Sequence, residues 1–285
     1  MERFFLYLIM ERVWQKDYAN HLEATTDIAD YTVGFYNNFR LHSKLGNLSP
    51  NVFERESTSK NLSSCPKLLD HHMLILHSYW LSLATYRVRI ALNLKAVAFE
   101  ERPHDLTKGE QHLPDFRKLN PAGAVPALEG GTRQPLTQSL AILEWLEESY
   151  PTPPLLPLDA EGRARVRSLF LLTASDTHPL VVPRVQARLT KQFGSNEATG
   201  RAWSAYWFRE GLAAFEAQLA PGATRCHGEA LSIADLALAS HLIGVSRFGV
   251  DLTEFPRTAA VGASLFALPE FASAHPRLQL GAPSA

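Results

Sequence analysis

The stretch Ser82-Leu83-Ala84-Thr85-Tyr86-Arg87-Val88-Arg89-Ile90-Ala91-Leu92 carries the strongest chemical signal in the chain, because it sets a hydroxyl between an apolar strand and an amphipathic helix. The strand is Leu74-Ile75-Leu76-His77-Ser78-Tyr79-Trp80. Val88, Ala91, Leu92 and Leu94 recur at helical spacing and give the helix a buried face. A hydroxyl at such a junction stands beside the unpaired N–H groups of the first turn and the positive end of the helix dipole. Both favour an ionised sulfur over a neutral thiol. No cysteine occupies this stretch, so a thiol held there arrives with a ligand. A second anion-binding position is expected at Gln138 and Ser139, which open another helix; there Ser139 is also a plain N-cap residue.

The elements that position these residues follow from pattern. Strand, helix, strand, helix, two strands and a helix succeed one another from Leu74. The second strand is expected over Ala98–Pro103 and a helix over about Leu113–Leu119. A hairpin built on Val125-Pro126-Ala127-Leu128 and Pro135-Leu136-Thr137 turns at Gly130-Gly131, and a helix is expected after it over about Ser139–Ser149. Pro151, Pro153, Pro154 and Pro157 then mark a domain boundary. Beyond Asp159 the pattern is helical: Trp203, Trp207, Leu212, Phe215 and Leu219 form a stripe, and Ser232-Ile233-Ala234-Asp235 reads as a capping box with a structural role. Cys226 and His227 are neighbours in sequence, which does not make a nucleophile–base pair, and read as packing residues.

Composition narrows the function. The 285 residues, 46% apolar with a net charge of −1, bury a full core divided between domains. Near-neutral charge argues against general affinity for nucleic acid or acidic membranes. Cys65 and Cys226 stand in no metal-ligand spacing, His71 and His72 add no set around them, and no metal is expected. Sparse cysteine suits a reducing cytoplasm. No apolar run approaches the about 20 residues that span a bilayer. The segment Met1–Met10 is too short for a signal peptide and lacks a small-residue cleavage site.

Residues 1–56 read as a different protein from the rest. A helix is expected over about Asn20–Phe39, leading into Arg40-Leu41-His42-Ser43-Lys44-Leu45-Gly46-Asn47-Leu48-Ser49-Pro50. With Glu11-Arg12-Val13-Trp14-Gln15, this resembles the C-terminal tail of insertion-sequence transposases with a retroviral-integrase-like core. Glu2-Arg3-Phe4-Phe5 would match the family's last metal-binding carboxylate. Two-metal chemistry needs several converging carboxylates, so Glu2 alone is an inert remnant. Residues 57–72 have linker composition, and Met73 reads as a natural start for the remainder of the chain. The extension is then an insertion scar or a misplaced start. DNA binding through it is a rival reading, weakened by the missing catalytic domain.

From Met73 to Pro276 the chain resembles the glutathione transferases, and within them the zeta class with its maleylacetoacetate and maleylpyruvate isomerases. Tyr79-Trp80, Tyr86–Lys95, Gly109-Glu110-Gln111-His112, Thr137–Ile142 and Arg247-Phe248-Gly249-Val250-Asp251-Leu252 carry the resemblance. It implies an α/β thioredoxin-like domain over 73–156 and an all-α domain over 157–280, after a non-native N-terminal helical extension. It also implies glutathione as cofactor, a small dicarboxylic substrate and a homodimer, with no nucleic acid or membrane partner.

By that resemblance Ser82 serves the thiolate, Gln138 and Ser139 receive the γ-glutamyl carboxylate, and Gln111 and His112 contact the glycyl end. Val125-Pro126 would be a cis peptide turning a backbone edge towards the glutathione cysteine. Arg184 and Arg247 would hold substrate carboxylates. The class usually reads Arg-Ser-Ser-(Cys or Ala)-Ser where this chain has Leu81-Ser82-Leu83-Ala84-Thr85, and Val182 stands where relatives often carry asparagine. Three readings of the site remain open: maleylacetoacetate isomerisation, a related zeta-type reaction on maleylpyruvate or a haloacid, and glutathione binding with the chemistry lost.

Overall fold

The structure, a computed structural model, describes residues 24, 26–28, 31 and 73–283. The chain divides into two compact units, Met1–His71 and His72–Ala285. Of the expected helix over 20–39, Ala24, Thr26, Asp27 and Ile28 are described and helical. Tyr31 apart, the rest of the transposase-like segment with Glu2, the linker over 57–72, Cys65, His71 and His72 lie outside the described residues. The strands and helices numbered from here all belong to the second unit.

Strand β1 (Leu74–Ser78) runs parallel to β2 (Phe99–Pro103), with Leu76 opposite Glu101. Helix α1 (Leu83–Leu94) makes the crossover between them. Strand β3 (Ala127–Glu129) pairs antiparallel with β1, and β4 (Leu136–Thr137) antiparallel with β3, giving the order β2-β1-β3-β4. Helix α2 (Pro114–Leu119) precedes the hairpin and α3 (Ser139–Ser149) comes after it. This mixed sheet with its crossover is a thioredoxin-like arrangement, as expected. Val125–Pro126 is cis, and so is Thr152–Pro153.

The remainder is helical. Helix α4 (Ala160–Leu171) passes through a π-turn segment, Leu172–Thr177, into the short α5 (His178–Val181). Then come α6 (Pro183–Phe193), α7 (Glu197–Glu216), α8 (Ile233–Phe248), α9 (Pro256–Phe266) and α10 (Pro269–Ser273). The buried side of α7 runs through Ser204, Phe208, Gly211, Leu212 and Phe215, while Trp203 and Trp207 of the expected stripe are half-buried at its flank.

Helix α1 is central. It packs on α3 and on α8, so it is buried nearly all round rather than on one stripe, and a single hydrophobic core runs from Leu74 to Ala274. Arg89, 1% exposed, donates from Nε to Glu101 Oε1 at 2.8 Å and reaches the Tyr79 and Trp80 carbonyls, which ties down the β1–α1 turn. At the other end of α1, Lys95 Nζ donates to Glu147 Oε2 (2.9 Å), Tyr150 O (2.7 Å) and Pro153 O (2.9 Å). The Glu147 carboxylate also accepts from the Leu155 and Leu156 N–H groups, and Leu155 O accepts from Ile233 N–H at the start of α8. The proline-rich connection is therefore pinned from both sides.

Asp235 does what its sequence position suggests. It accepts from Ser232 N–H (2.8 Å), Ser232 Oγ (2.9 Å) and Cys226 N–H (2.8 Å), closing the start of α8. Burial, and then the Asp235 carboxylate, push the Cys226 thiol well up, so it is an inert packing group.

Candidate active site

The N-terminal end of α1 opens onto a cavity of about 390 Å³ between the sheet domain and helices α5, α6 and α8. Its wall holds Ser82, Gln111, Val125, Pro126, Gln138, Ser139, Arg184 and Arg247, eight of the nine residues singled out from sequence. His112 is the exception. It is exposed, with its ring held between Gln111 Nε2 (3.2 Å) and Arg117 Nη2 (3.2 Å), and it does not line the cavity.

Ser82 is the N-cap of α1, with extended backbone (φ −69°, ψ 116°), and its Oγ accepts the Thr85 N–H at 3.2 Å. The cap interaction uses an oxygen lone pair and leaves the hydroxyl proton free to donate. A sulfur beside it would meet that donor and the dipole of α1 together.

The loop carrying Val125 is shaped by Asn120, the C-cap of α2. Its Nδ2 donates to Ala124 O at 2.6 Å and its Oδ1 accepts Ala122 N–H at 3.0 Å, fixing the residues ahead of the cis peptide. Gln138 then turns into α3 with φ 69° and ψ 119°, a left-handed conformation costly for a residue with a side chain. That turn leaves the first N–H groups of α3 and the Ser139 hydroxyl at the cavity, a position suited to an anion.

The opposite wall is basic at its rim and apolar below. Arg184 on α6 and Arg247 near the end of α8 are exposed at the edge, and among the described residues neither forms an ion pair. Burial lowers the Arg247 guanidinium from its ordinary value while nearby Tyr79 opposes the shift. Leu81, Leu83, Leu106, Val181, Val182 and Phe248 line the space between. His178 also lines it; burial, and then the positive charge of Arg87, push its imidazole well down, so it is neutral at physiological pH. Neither His178 nor Arg87, both on the cavity wall, belongs to the residues singled out from sequence.

Glycine at 244 makes the floor possible. A Cβ there would lie 2.2 Å from the Phe208 ring and 3.0 Å from Leu83 Cδ1, so α8 approaches both as only glycine permits.

Residues 81–149 match the N-terminal domain of glutathione S-transferases. Maleylpyruvate isomerase of a Ralstonia species is 45% identical over 208 residues, which span 72% of this chain and 97% of that protein. A solved holo maleylpyruvate isomerase, a bacterial glutathione S-transferase of the zeta class, aligns with a TM-score of 0.71 at 42% identity, covering 73% of this chain and all of its own.

This chain belongs to the zeta-class glutathione transferases.

Within that class, maleylacetoacetate isomerase from Methylobacterium extorquens AM1, solved with malonate and glutathione bound, is 45% identical with a TM-score of 0.71, over 74% of this chain and 100% of its own. The family-model match, residues 81–149, lies within the second unit. Among the described residues no helix is long and apolar enough to cross a membrane.

Proposed function

We propose that the protein catalyses glutathione-dependent cis–trans isomerisation of a maleyl-type dicarboxylate: maleylacetoacetate to fumarylacetoacetate, or its maleylpyruvate counterpart. The observation that supports this most directly is the Ser82 hydroxyl, whose oxygen caps α1 and leaves its proton available, lining the same cavity as two rim guanidiniums that form no ion pair among the described residues. The residues fit glutathione. A thiolate donor, a helix start for a carboxylate and the backbone of Val125 line one side of one cavity.

When bound, glutathione would supply the sulfur nucleophile that adds to the conjugated double bond and later leaves it. Ser82 donates a hydrogen bond to that sulfur and, with the α1 dipole, favours its ionised form. Gln138 and Ser139 hold the γ-glutamyl carboxylate, Val125 offers its backbone edge, and Gln111 lies on the side of the glycyl end. Arg184 and Arg247 clamp the substrate carboxylates with charge-assisted, forked contacts. Their charge also stabilises an oxygen that becomes anionic while the double bond is broken. The apolar residues between them exclude water from the reacting carbons.

The test is turnover of maleylacetoacetate and of maleylpyruvate by the purified full chain with glutathione. Activity is expected, with kcat/KM lowered about a hundredfold or more in Ser82→Ala, the scale on which loss of one preorganised donor acts. An intact protein that turns over neither substrate would overturn the proposal. A second reading, glutathione binding without isomerisation, has Leu81 and Leu83 on the cavity wall in its favour, and it predicts retention on immobilised glutathione with no turnover. The zeta-class resemblance further supports a cytoplasmic homodimer and a division into domains at 73–156 and 157–280. Residues 1–56 we read, on their sequence motif alone, as a transposase remnant.

A further inference from the structure

We propose that His104 is a positioning residue: bonded to His77, it anchors the loop that brings Leu106 and Gln111 to the cavity, and this anchor survives one added proton but not two. The inference rests on the glutathione reading of the cavity and concerns groups that the isomerisation itself does not use.

His77, 3% exposed on β1, is bonded on both sides of its ring. Its Nε2 lies 2.6 Å from Glu129 Oε1 at the end of β3, and its Nδ1 lies 2.8 Å from His104 Nε2, just beyond β2. The two imidazoles stack with centroids 5.1 Å apart, and the His104 ring meets Phe116 of α2 at 4.7 Å. His104 N–H also donates to Ser78 O at 2.7 Å. The loop beyond is closed on itself, because Glu110 Oε2 accepts from Asp105 N–H at 2.7 Å and Asp105 O accepts from Glu110 N–H at 3.2 Å. Leu106 within this closure and Gln111 just past it both line the cavity. His104 therefore ties a compact loop to the sheet at its root.

Protons set the state of the anchor. A carboxylate only accepts, so His77 Nε2 carries a proton. With both rings neutral, His77 Nδ1 accepts from His104 Nε2–H. One added proton enters at His104 Nδ1 while the shared proton shifts to His77 Nδ1, and the bond persists with donor and acceptor exchanged. A second places N–H on both facing nitrogens and sets two cations in contact. Burial, and then the His77 charge, push the His104 imidazole down, with Glu110 opposing. The anchored loop thus takes up the second proton less readily than a released one. Anchoring is complete near neutral pH and weakens as pH falls below the ordinary imidazole range. Glu129 and Glu110 are the carboxylates that bear on the pair. Other charges on the packed elements are engaged elsewhere: Glu100 with Arg102 on β2, Asp105 with Lys108 in the loop, Asp115 with Lys118 on α2, and Arg117 of α2 with His112.

The test is calorimetry of the full chain with S-methylglutathione, whose sulfur has no proton to lose and whose carboxylates stay ionised between pH 7 and pH 5. Wild-type affinity should fall about tenfold over that interval, the effect of moving one proton-binding site by one unit. His104→Gln and His77→Gln each leave one imidazole facing an amide that can donate or accept, so each should cut the fall to about threefold or less. The remaining histidines are common to all three proteins. At pH 7 H104Q should bind more tightly than His104→Leu, which offers His77 nothing. A flat wild-type profile, a glutamine variant that falls in parallel with wild type, or an H104L that binds as well as H104Q would overturn the inference. If a glutamine variant does not fold, imidazole nitrogen NMR of the wild type decides. The pair should protonate in two separate steps, with affinity lost at the second; loss at any other point, or a single step, would refute the anchor. No binding by wild type at either pH would instead defeat the glutathione reading itself.

Discussion

Acidifying the protein should weaken it through one imidazole. His241, 1% exposed, donates from Nε2 to Phe208 O at 2.9 Å, while its Nδ1 has no partner among the described residues. A second proton would have to enter at that Nδ1, surrounded by packed side chains and near the Arg87 charge. Burial first, and Arg87 after it, outweigh the Phe208 contact and lower the group from 6.5 to about 4. The folded chain thus binds this proton less readily than the unfolded chain. Stability from the neutral ring is complete above the unfolded value and drains away as pH drops through 6.5 towards 4.

At 1.36 kcal/mol per unit, a displacement of this size amounts to about 3 kcal/mol in full and about 2 kcal/mol between pH 7 and pH 5. Urea unfolding at pH 7, 6 and 5, at one protein concentration, measures it in the wild type and in His241→Gln, whose amide can still donate to Phe208 O. Other groups, His178 among them, titrate in both proteins, so the difference in slope isolates position 241. The variant should lose about 2 kcal/mol less than the wild type over that interval. Parallel pH profiles would show that this imidazole carries none of the loss.

Two further substitutions probe the frame of the cavity. Gly244→Ala pushes a methyl into the Phe208 ring and should cost about 1–3 kcal/mol, read as a lower melting temperature together with weaker glutathione binding, because Phe208 and Leu83 both line the cavity; an unchanged melting temperature would contradict the contact. Asp235→Ala strands the buried Cys226 and Ser232 N–H groups, each worth about 1–3 kcal/mol, and should unfold at markedly lower urea than Asp235→Asn. Equal midpoints for the two variants would show that the cap carries little.

Much of this architecture can be read in advance from local chemistry. The helix over Ser139–Ser149 appears with the expected bounds because Thr137-Gln138-Ser139 starts it and Tyr150-Pro151 stops it. The hairpin and the Ser82 cap come from equally local signals. Periodicity could not reveal charge on the inside. Arg87, Arg89 and Lys95 are all buried, because α3 and α8 pack on that helix and supply acceptors for Arg87 and Lys95 far away in sequence, while Glu101 and the β1–α1 turn supply those of Arg89. The left-handed turn at Gln138 is equally invisible, since nothing in a glutamine announces it and only the surrounding packing enforces it. His112, paired with Gln111 by the family resemblance, hydrogen-bonds that neighbour yet does not share its place on the cavity wall.

The four prolines after α3 mark a domain boundary, and the contacts around Lys95 and Glu147 make it a weld. With the ammonium gripping two carbonyls of this segment and the carboxylate gripping two of its amides, any yawning of the two lobes about it to admit a guest would have to break those contacts. Traffic past the arginine-edged mouth breaks none of them, so residence time should answer to rearrangements of α5 and α6 rather than to any swing of one lobe against the other.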